Sequence, residues 1–233
     1  MEQRQYVGGM AAKPAHAATT FTVNSTGDQD DVAVLDEHCD VNLAASADQS
    51  TLKAALTAAN FSPGVDAIHF NIPGSGVHTI KPSTVLVTGG PGLLIDAYSQ
   101  PGFSPNTLEK GSYAVLKIQL DGSAAQPQNG AEASGLQISG SDTIVKGLVI
   151  NNFKNNGILI PGGQNFRVEG NFIGTDASGT TAKPNTQNGV LIKAGNGLGR
   201  PSNNTIGARR PPRATSSPAT SGPVFRSRTH SPT

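Results

Sequence analysis

The chain contains no tryptophan, one cysteine and only 5% aromatic residues across its 233 positions. Bulky rings that would anchor a broad core, or line a sugar-binding groove, are therefore scarce. The lone Cys39 excludes an intrachain disulfide and a cysteine-based metal site, and its plain reading is a small, partly buried apolar side chain. Charged residues make up 14% and the formal net charge is +1. That balance offers no electrostatic footprint for nucleic acid or an anionic membrane. No apolar run approaches the roughly 18–20 residues that cross a bilayer, so no membrane span is expected.

Glycine is abundant instead, at 28 residues, with 16 prolines. Such a chain turns often and has short strands, which argues against a helical bundle. At the N-terminus Ala15-His16-Ala17 has the small-x-small form of a signal cleavage site, although Met1 to Pro14 lacks an apolar core segment. Residues 1–20 are read as a remnant signal or a disordered segment, and the location as secreted or cell-surface.

Phe21-Thr-Val23 reads as a first strand. Ser25 to Asp48 is loop-like and carries Asp28, Asp30, Asp31, Asp36, Glu37 and Asp40. A helix is expected over Ser50–Asn60, with Ser50 as N-cap and Leu52, Ala55, Leu56 and Ala59 as its apolar stripe. Ser62-Pro63-Gly64 ends it. From Asp66 the pattern changes to short β runs: 67–72, 78–80, 85–87, 93–95 and 115–120. No linker has the length and period of a crossover helix, which disfavours a doubly wound α/β sheet.

An internal repeat organises the rest. Val145-Lys-Gly-Leu-Val-Ile-Asn151 recurs 23 positions later as Val168-Glu-Gly-Asn-Phe-Ile-Gly174. Asn156-Gly-Ile-Leu-Ile160 recurs 32 positions later as Asn188-Gly-Val-Leu-Ile192, the surplus falling in a polar insert around Thr175–Asn185. Asn204-Thr-Ile-Gly207 opens what reads as another copy. A period near 23 with about three short strands suits one rung of a β-solenoid, with Ile144, Leu148, Ile150, Ile158 and Ile160 facing inward. Asn and Gly suit its corners, and Asn at matching corners is expected to form a hydrogen-bonded ladder. A leucine-rich repeat would need a Leu-x-x-Leu-x-Leu frame, and a β-sandwich would not give a fixed offset.

Several segments, in order, resemble a bacterial family of secreted β-helix proteins that begin with a CSLREA segment, within the pectate-lyase-like superfamily. They are Phe21-Thr-Val23, Cys39, Ser50-Thr-Leu-Lys-Ala-Ala-Leu56, Ser62-Pro-Gly-Val-Asp-Ala-Ile68 and Phe70-Asn-Ile-Pro73. Ile95-Asp-Ala-Tyr-Ser-Gln-Pro-Gly102, Leu120-Asp-Gly122 and Asn171-Phe-Ile-Gly-Thr-Asp176 continue the match. Lys53 and Ala54 depart from it, as do the ten residues between Cys39 and Ser50. The resemblance implies an all-β, right-handed parallel β-helix with a short N-terminal capping α-helix. The cap would occupy 21–65, with its helix at 50–60, and the rungs 66–207.

The tail 208–233 is rich in Arg, Pro, Ser and Thr and reads as disordered. A second reading is a frameshift: a permitted back-translation of Ala208–Gly222, read two nucleotides later, continues in repeat style with Asn-Val-Ile-Ser-Gly-Asn. If no rung forms there, strands near Asn188–Ile192 present an open edge that favours self-association.

The acid–base candidates in the rungs are Asp142, Lys146, Lys154, Arg167, Glu169 and Asp176, since a β-helix enzyme acting on acidic polysaccharide needs carboxylates and a cation on one face. The repeat offset stacks Asp142 on Asn165 and Lys146 on Glu169, and the latter reads more simply as a surface ion pair between rungs. Asp121 and Asp176 precede Gly-Ser and Ala-Ser-Gly, where turn formation is the default role. Asp28, Asp30 and Asp31 form a faintly calcium-loop-like group that lacks the glycine and distal glutamate of an EF-hand; a solvated acidic loop is the plainer reading. His69 and His78 have no third ligand at metal spacing. No cofactor is expected beyond that calcium option. The expected function is a non-catalytic extracellular β-helix module contacting polysaccharide or cell-surface glycan. The alternative is a polysaccharide lyase, epimerase or glycoside hydrolase.

Overall fold

The computed structural model describes residues 18–33, 35–36, 38–42, 49–90, 92–108, 111–127, 133–194 and 200–207. The readings placed on 1–17, on Glu37 and on the tail 208–233 lie outside the described residues. Strand β1 (Thr20–Val23) precedes helix α1 (Leu52–Phe61). There follow β2 (Ala67–Phe70), β3 (His78–Ile80) and β4 (Leu86–Thr88). The next trio is β5 (Leu94–Asp96), β6 (Ile118–Asp121) and β7 (Leu136–Ile138). Then come β8 (Ile144–Lys146), β9 (Leu148–Asn151) and β10 (Ile158–Ile160). The last are β11 (Arg167–Glu169), β12 (Phe172–Ile173), β13 (Val190–Ile192) and β14 (Thr205–Ile206).

All pairings between these strands are parallel, and the strands form three sheets. The first runs β1-β2-β5-β8-β11-β14, the second β3-β6-β9-β12 and the third β4-β7-β10-β13. From β2 onward the chain therefore visits the sheets in strict rotation, one short strand at a time. This is an all-β parallel architecture with one α-helix among the described residues.

Inward side chains stack along each sheet. Phe21, Ile68, Ile95, Val145 and Val168 are successive register partners in the first sheet, and each is at most 2% exposed. Ile80, Leu120 and Ile150 do the same in the second, and Leu86, Leu136 and Ile158 in the third. Stacking like on like removes apolar area from water between neighbours in the sheet as well as across the interior. At the far end the columns emerge: Ile192 is 37% and Ile206 44% exposed.

Both repeat offsets are reproduced as register. Val145 pairs with Val168, and Asn156–Ile160 lies against Asn188–Ile192. The expectation for Ile144 is corrected: β8 buries Val145 and leaves Ile144 half-buried on the outer side. Period-2 alternation from the charged Lys146 puts Ile144 on the same outer face and Val145 inside, a signal that two adjacent apolar residues obscured. Helix α1 begins one residue later than expected. Thr51 is its N-cap, its Oγ1 accepting from the Ala54 N–H at 3.0 Å, while Ser50 N–H donates to Asn24 Oδ1 at 2.9 Å. Leu52, Ala55, Leu56 and Ala59 are buried as expected, joined by Ala54 and Ala58, and the helix packs on β1, β2 and β4. Strand β1, expected within the cap, is in register with β2 at the edge of the first sheet. In the 115–120 run, only the end is ladder strand; Val115 instead makes an isolated antiparallel bridge to Ser104.

Candidate functional site

The outer face of the first sheet carries a group of ionisable side chains. Register places His69, Asp96, Lys146 and Glu169 in one row across β2, β5, β8 and β11. Adjacent strands sit about 4.7–4.9 Å apart, so consecutive members of the row are within side-chain reach. Lys146 Nζ lies 3.0 Å from Asp96 Oδ2, and Arg167 reaches both oxygens of Glu169 at 2.8 and 2.9 Å. The expected Lys146–Glu169 ion pair is thereby corrected. Their backbones are partners, but Lys146 turns to the preceding strand and Arg167 takes Glu169 within its own strand.

Tyr98 lies beside this row, in the 3-10 turn that follows β5. Its hydroxyl donates to the Gly170 carbonyl at 3.2 Å, Lys146 Nζ is 5.7 Å from its ring centroid, and Phe103 stacks on it at 4.1 Å. The ring can lie there because the residues after Lys146 and Glu169 are glycines at positive φ, Gly147 (81°) and Gly170 (64°). A Cβ on Gly147 would come within 2.3 Å of the Tyr98 ring, and one on Gly170 would overlap its hydroxyl. Burial, followed by the Glu169 and Asp96 carboxylates, pushes the Tyr98 hydroxyl above its ordinary range.

The remaining candidates do not converge on this face. Asp142 and Asn165 occupy matching corners at φ 60° and 62°, with Asn165 Nδ2 donating to Asp142 Oδ1 at 2.8 Å. Lys154 is exposed in the turn between β9 and β10. Asp176 serves its own loop: its Oδ1 accepts from the Ser178 N–H and hydroxyl and from the Thr181 N–H. The Ser178 hydroxyl is the largest influence on its carboxyl, which is held at about 2. The Thr175–Asn185 insert closes on itself, Thr175 bridging to Ala182, before Asn185 returns into the interior. Asp121 is a turn former as expected, accepting from the Ser123 N–H at 3.0 Å. Burial opposes its ionisation, but hydrogen bonds from Ser123 and Asn152 outweigh that and hold the carboxyl below its ordinary range.

The acidic loop is dispersed. Asp28 accepts from Ser83 N–H and hydroxyl, Asp30 pairs with Lys53 at 2.7 Å, and Asp31 is buried with Oδ1 accepting from Ala33 N–H. Among the described residues no three His, Cys, Asp or Glu side chains are grouped to hold a metal. Cys39 is buried as expected, and burial pushes its thiol upward. A shallow depression of about 270 Å³ lies between α1 and β4, floored by the Asp30–Lys53 pair and Asn60. Asn60 stitches helix to strand there, donating to Val87 O at 2.9 Å and accepting from Gly89 N–H.

Asp96 and Tyr98 were not among the sequence candidates. Their signal was the Ile95–Gly102 motif, which the resemblance picked out without a chemical role. Among the described residues no helix is long and apolar enough to cross a membrane. Compared with known proteins, the chain matches no family model, no curated sequence and no solved structure.

Proposed function

We propose that this chain is a right-handed parallel β-helix that acts without catalysis, as an extracellular or cell-surface module contacting glycan through the outer face of its first sheet. The strict rotation of the chain through three parallel sheets, with inward stacks and asparagine corners, supports the β-helix. The observation carrying the functional reading is the pairing of charges on that face. Asp96 is neutralised by Lys146 and Glu169 by Arg167. A lyase needs a base free to take a proton and cations free to stabilise the resulting carbanion. Here each cation is already committed to a carboxylate, and Tyr98 is held to a backbone carbonyl with its proton bound tightly.

A row of paired charges offers donors and acceptors with no net field, and the half-buried Phe103 adds an aromatic edge. That chemistry suits a neutral saccharide better than a polyanion. The exposed Ile192 and Ile206 on edge strands β13 and β14 are consistent with self-association at that end.

The test is calorimetric titration with cellohexaose and with hexagalacturonate, alongside double-bond absorbance on pectate and alginate. The neutral sugar should bind, Phe103→Ala should weaken it by about tenfold, and no unsaturated product should form. Product formation abolished by Lys146→Met or Arg167→Gln would establish the lyase alternative instead.

A further inference from the structure

The repeat places two identical Asn-Gly pairs immediately before adjacent strands β10 and β13, Asn156-Gly157 and Asn188-Gly189, joined by an Asn188 Nδ2 to Asn156 Oδ1 hydrogen bond of 2.8 Å. Their surroundings differ sharply. Asn156 is 3% exposed, and its amide nitrogen donates to Asn155 Oδ1 at 2.9 Å and reaches Ser134 Oγ at 3.4 Å. The Gly157 N–H is tied to Asn188 O at 2.9 Å. A Cβ on Gly157 would meet Asn185 Nδ2 and Gly189 O, both at 2.7 Å, so the site is closely packed. Asn188 and Gly189 are both exposed, and among the described residues the Gly189 N–H has no backbone acceptor. Strand β13, which follows, ends its sheet.

We propose that Asn188 is a site of spontaneous deamidation, and that the ladder which covers Asn156 protects it from the same reaction. The Gly189 nitrogen gives its proton to solvent and attacks Asn188 Cγ. The new C–N bond closes a succinimide while the bond to the side-chain nitrogen breaks and ammonia leaves. Water then opens the ring at either carbonyl, giving aspartate or isoaspartate without any oxidant, reductant or enzyme. The reaction needs a backbone nitrogen free of its hydrogen bond and a side chain free to swing onto it. At Asn188 the Gly189 N–H has no backbone acceptor among the described residues, and one side-chain hydrogen bond, to Asn156, must break. At Gly157 both conditions require the covering strand to open first, which costs more free energy than releasing that single bond at an exposed edge. Either product loses the Nδ2 donor to Asn156. Isoaspartate also lengthens the backbone by one atom just ahead of β13.

The intact chain is incubated in mildly alkaline buffer and sampled by peptide mapping with mass spectrometry, resolving isoaspartate from aspartate chromatographically. Asn188 should convert at least about tenfold faster than Asn156, equivalent to about 1.4 kcal/mol in barrier. In denaturant the two sites should convert at similar rates, since the flanking Gly is the same. Hydrogen exchange over Val190–Ile192 should quicken as conversion proceeds. Equal rates at the two sites in the folded chain, or a persistent difference in denaturant, would overturn the proposal.

Discussion

Ile150 shows how much one inward position carries. It is fully buried, with Leu120 beside it on one neighbouring strand and Ile173 on the other. Ile150→Ala removes its transfer free energy and leaves a cavity that two ladders prevent from collapsing. The expected cost is about 2–5 kcal/mol, read from denaturant unfolding, and an unchanged midpoint would contradict the inward register. Asp176 makes the opposite case, a surface residue whose ionisation matters locally. Its folded-state carboxyl is held at about 2, below the ordinary 3.8, because the charged form accepts from Ser178 and Thr181. A depressed value means the contribution is complete above the ordinary range and lost as pH falls through about 4 to 2. The Ser178 and Thr181 amide resonances should titrate with a midpoint near 2. Asp176→Asn should abolish that step, and a midpoint at the ordinary value would contradict the assigned hydrogen bonds.

At the scale of elements, helix α1 depends on Thr51 more than on its neighbour. Thr51 Oγ1 accepts from Ala54 N–H and donates to Gln29 O at 2.6 Å, so one hydroxyl both starts the helix and anchors the preceding loop. Thr51→Ala should destabilise by about 1–2 kcal/mol, with Thr51→Ser recovering most of it. A smaller loss for Thr51→Ala than for Ser50→Ala would restore Ser50 as the cap. The sequence could not separate the two, since adjacent hydroxyl residues satisfy the same pattern and only backbone position decides. The repeat was legible where consecutive circuits share residues: Asn165 on Asp142 and Asn188 on Asn156 are the offsets of 23 and 32 read from the sequence. It was illegible at Asp96 and Tyr98. The circuit from β5 to β8 is long and its loops are unlike the others, so nothing in the sequence aligned Asp96 with Lys146. Salt-bridge partners were equally hidden, because two carboxylates flank Lys146 and side-chain direction chooses between them.

At the scale of the whole molecule, each strand pairs only with its neighbours in its sheet, while Tyr98 reaches from the turn after β5 past β8 to Gly170 after β11. The first sheet extends from β1, on which α1 packs, to β14, where an isoleucine stands 44% exposed. Under the proposed β-helix reading, a polar face would repeat at fixed spacing along the first sheet, as contact with an extended saccharide requires. Everything in the functional reading depends on that spacing. It is tested most directly by spin labels on the outer face of the third sheet, where Val87, Gln137, Leu159 and Leu191 are successive register partners. In a Cys39→Ser background, pairs of cysteine labels at 159/191, 137/191 and 87/191 are measured by dipolar broadening. The β-helix predicts separations rising in equal steps of about 4.8 Å, from one strand spacing to three. Separations that do not rise in that order, or that exceed three spacings for 87/191, would contradict it.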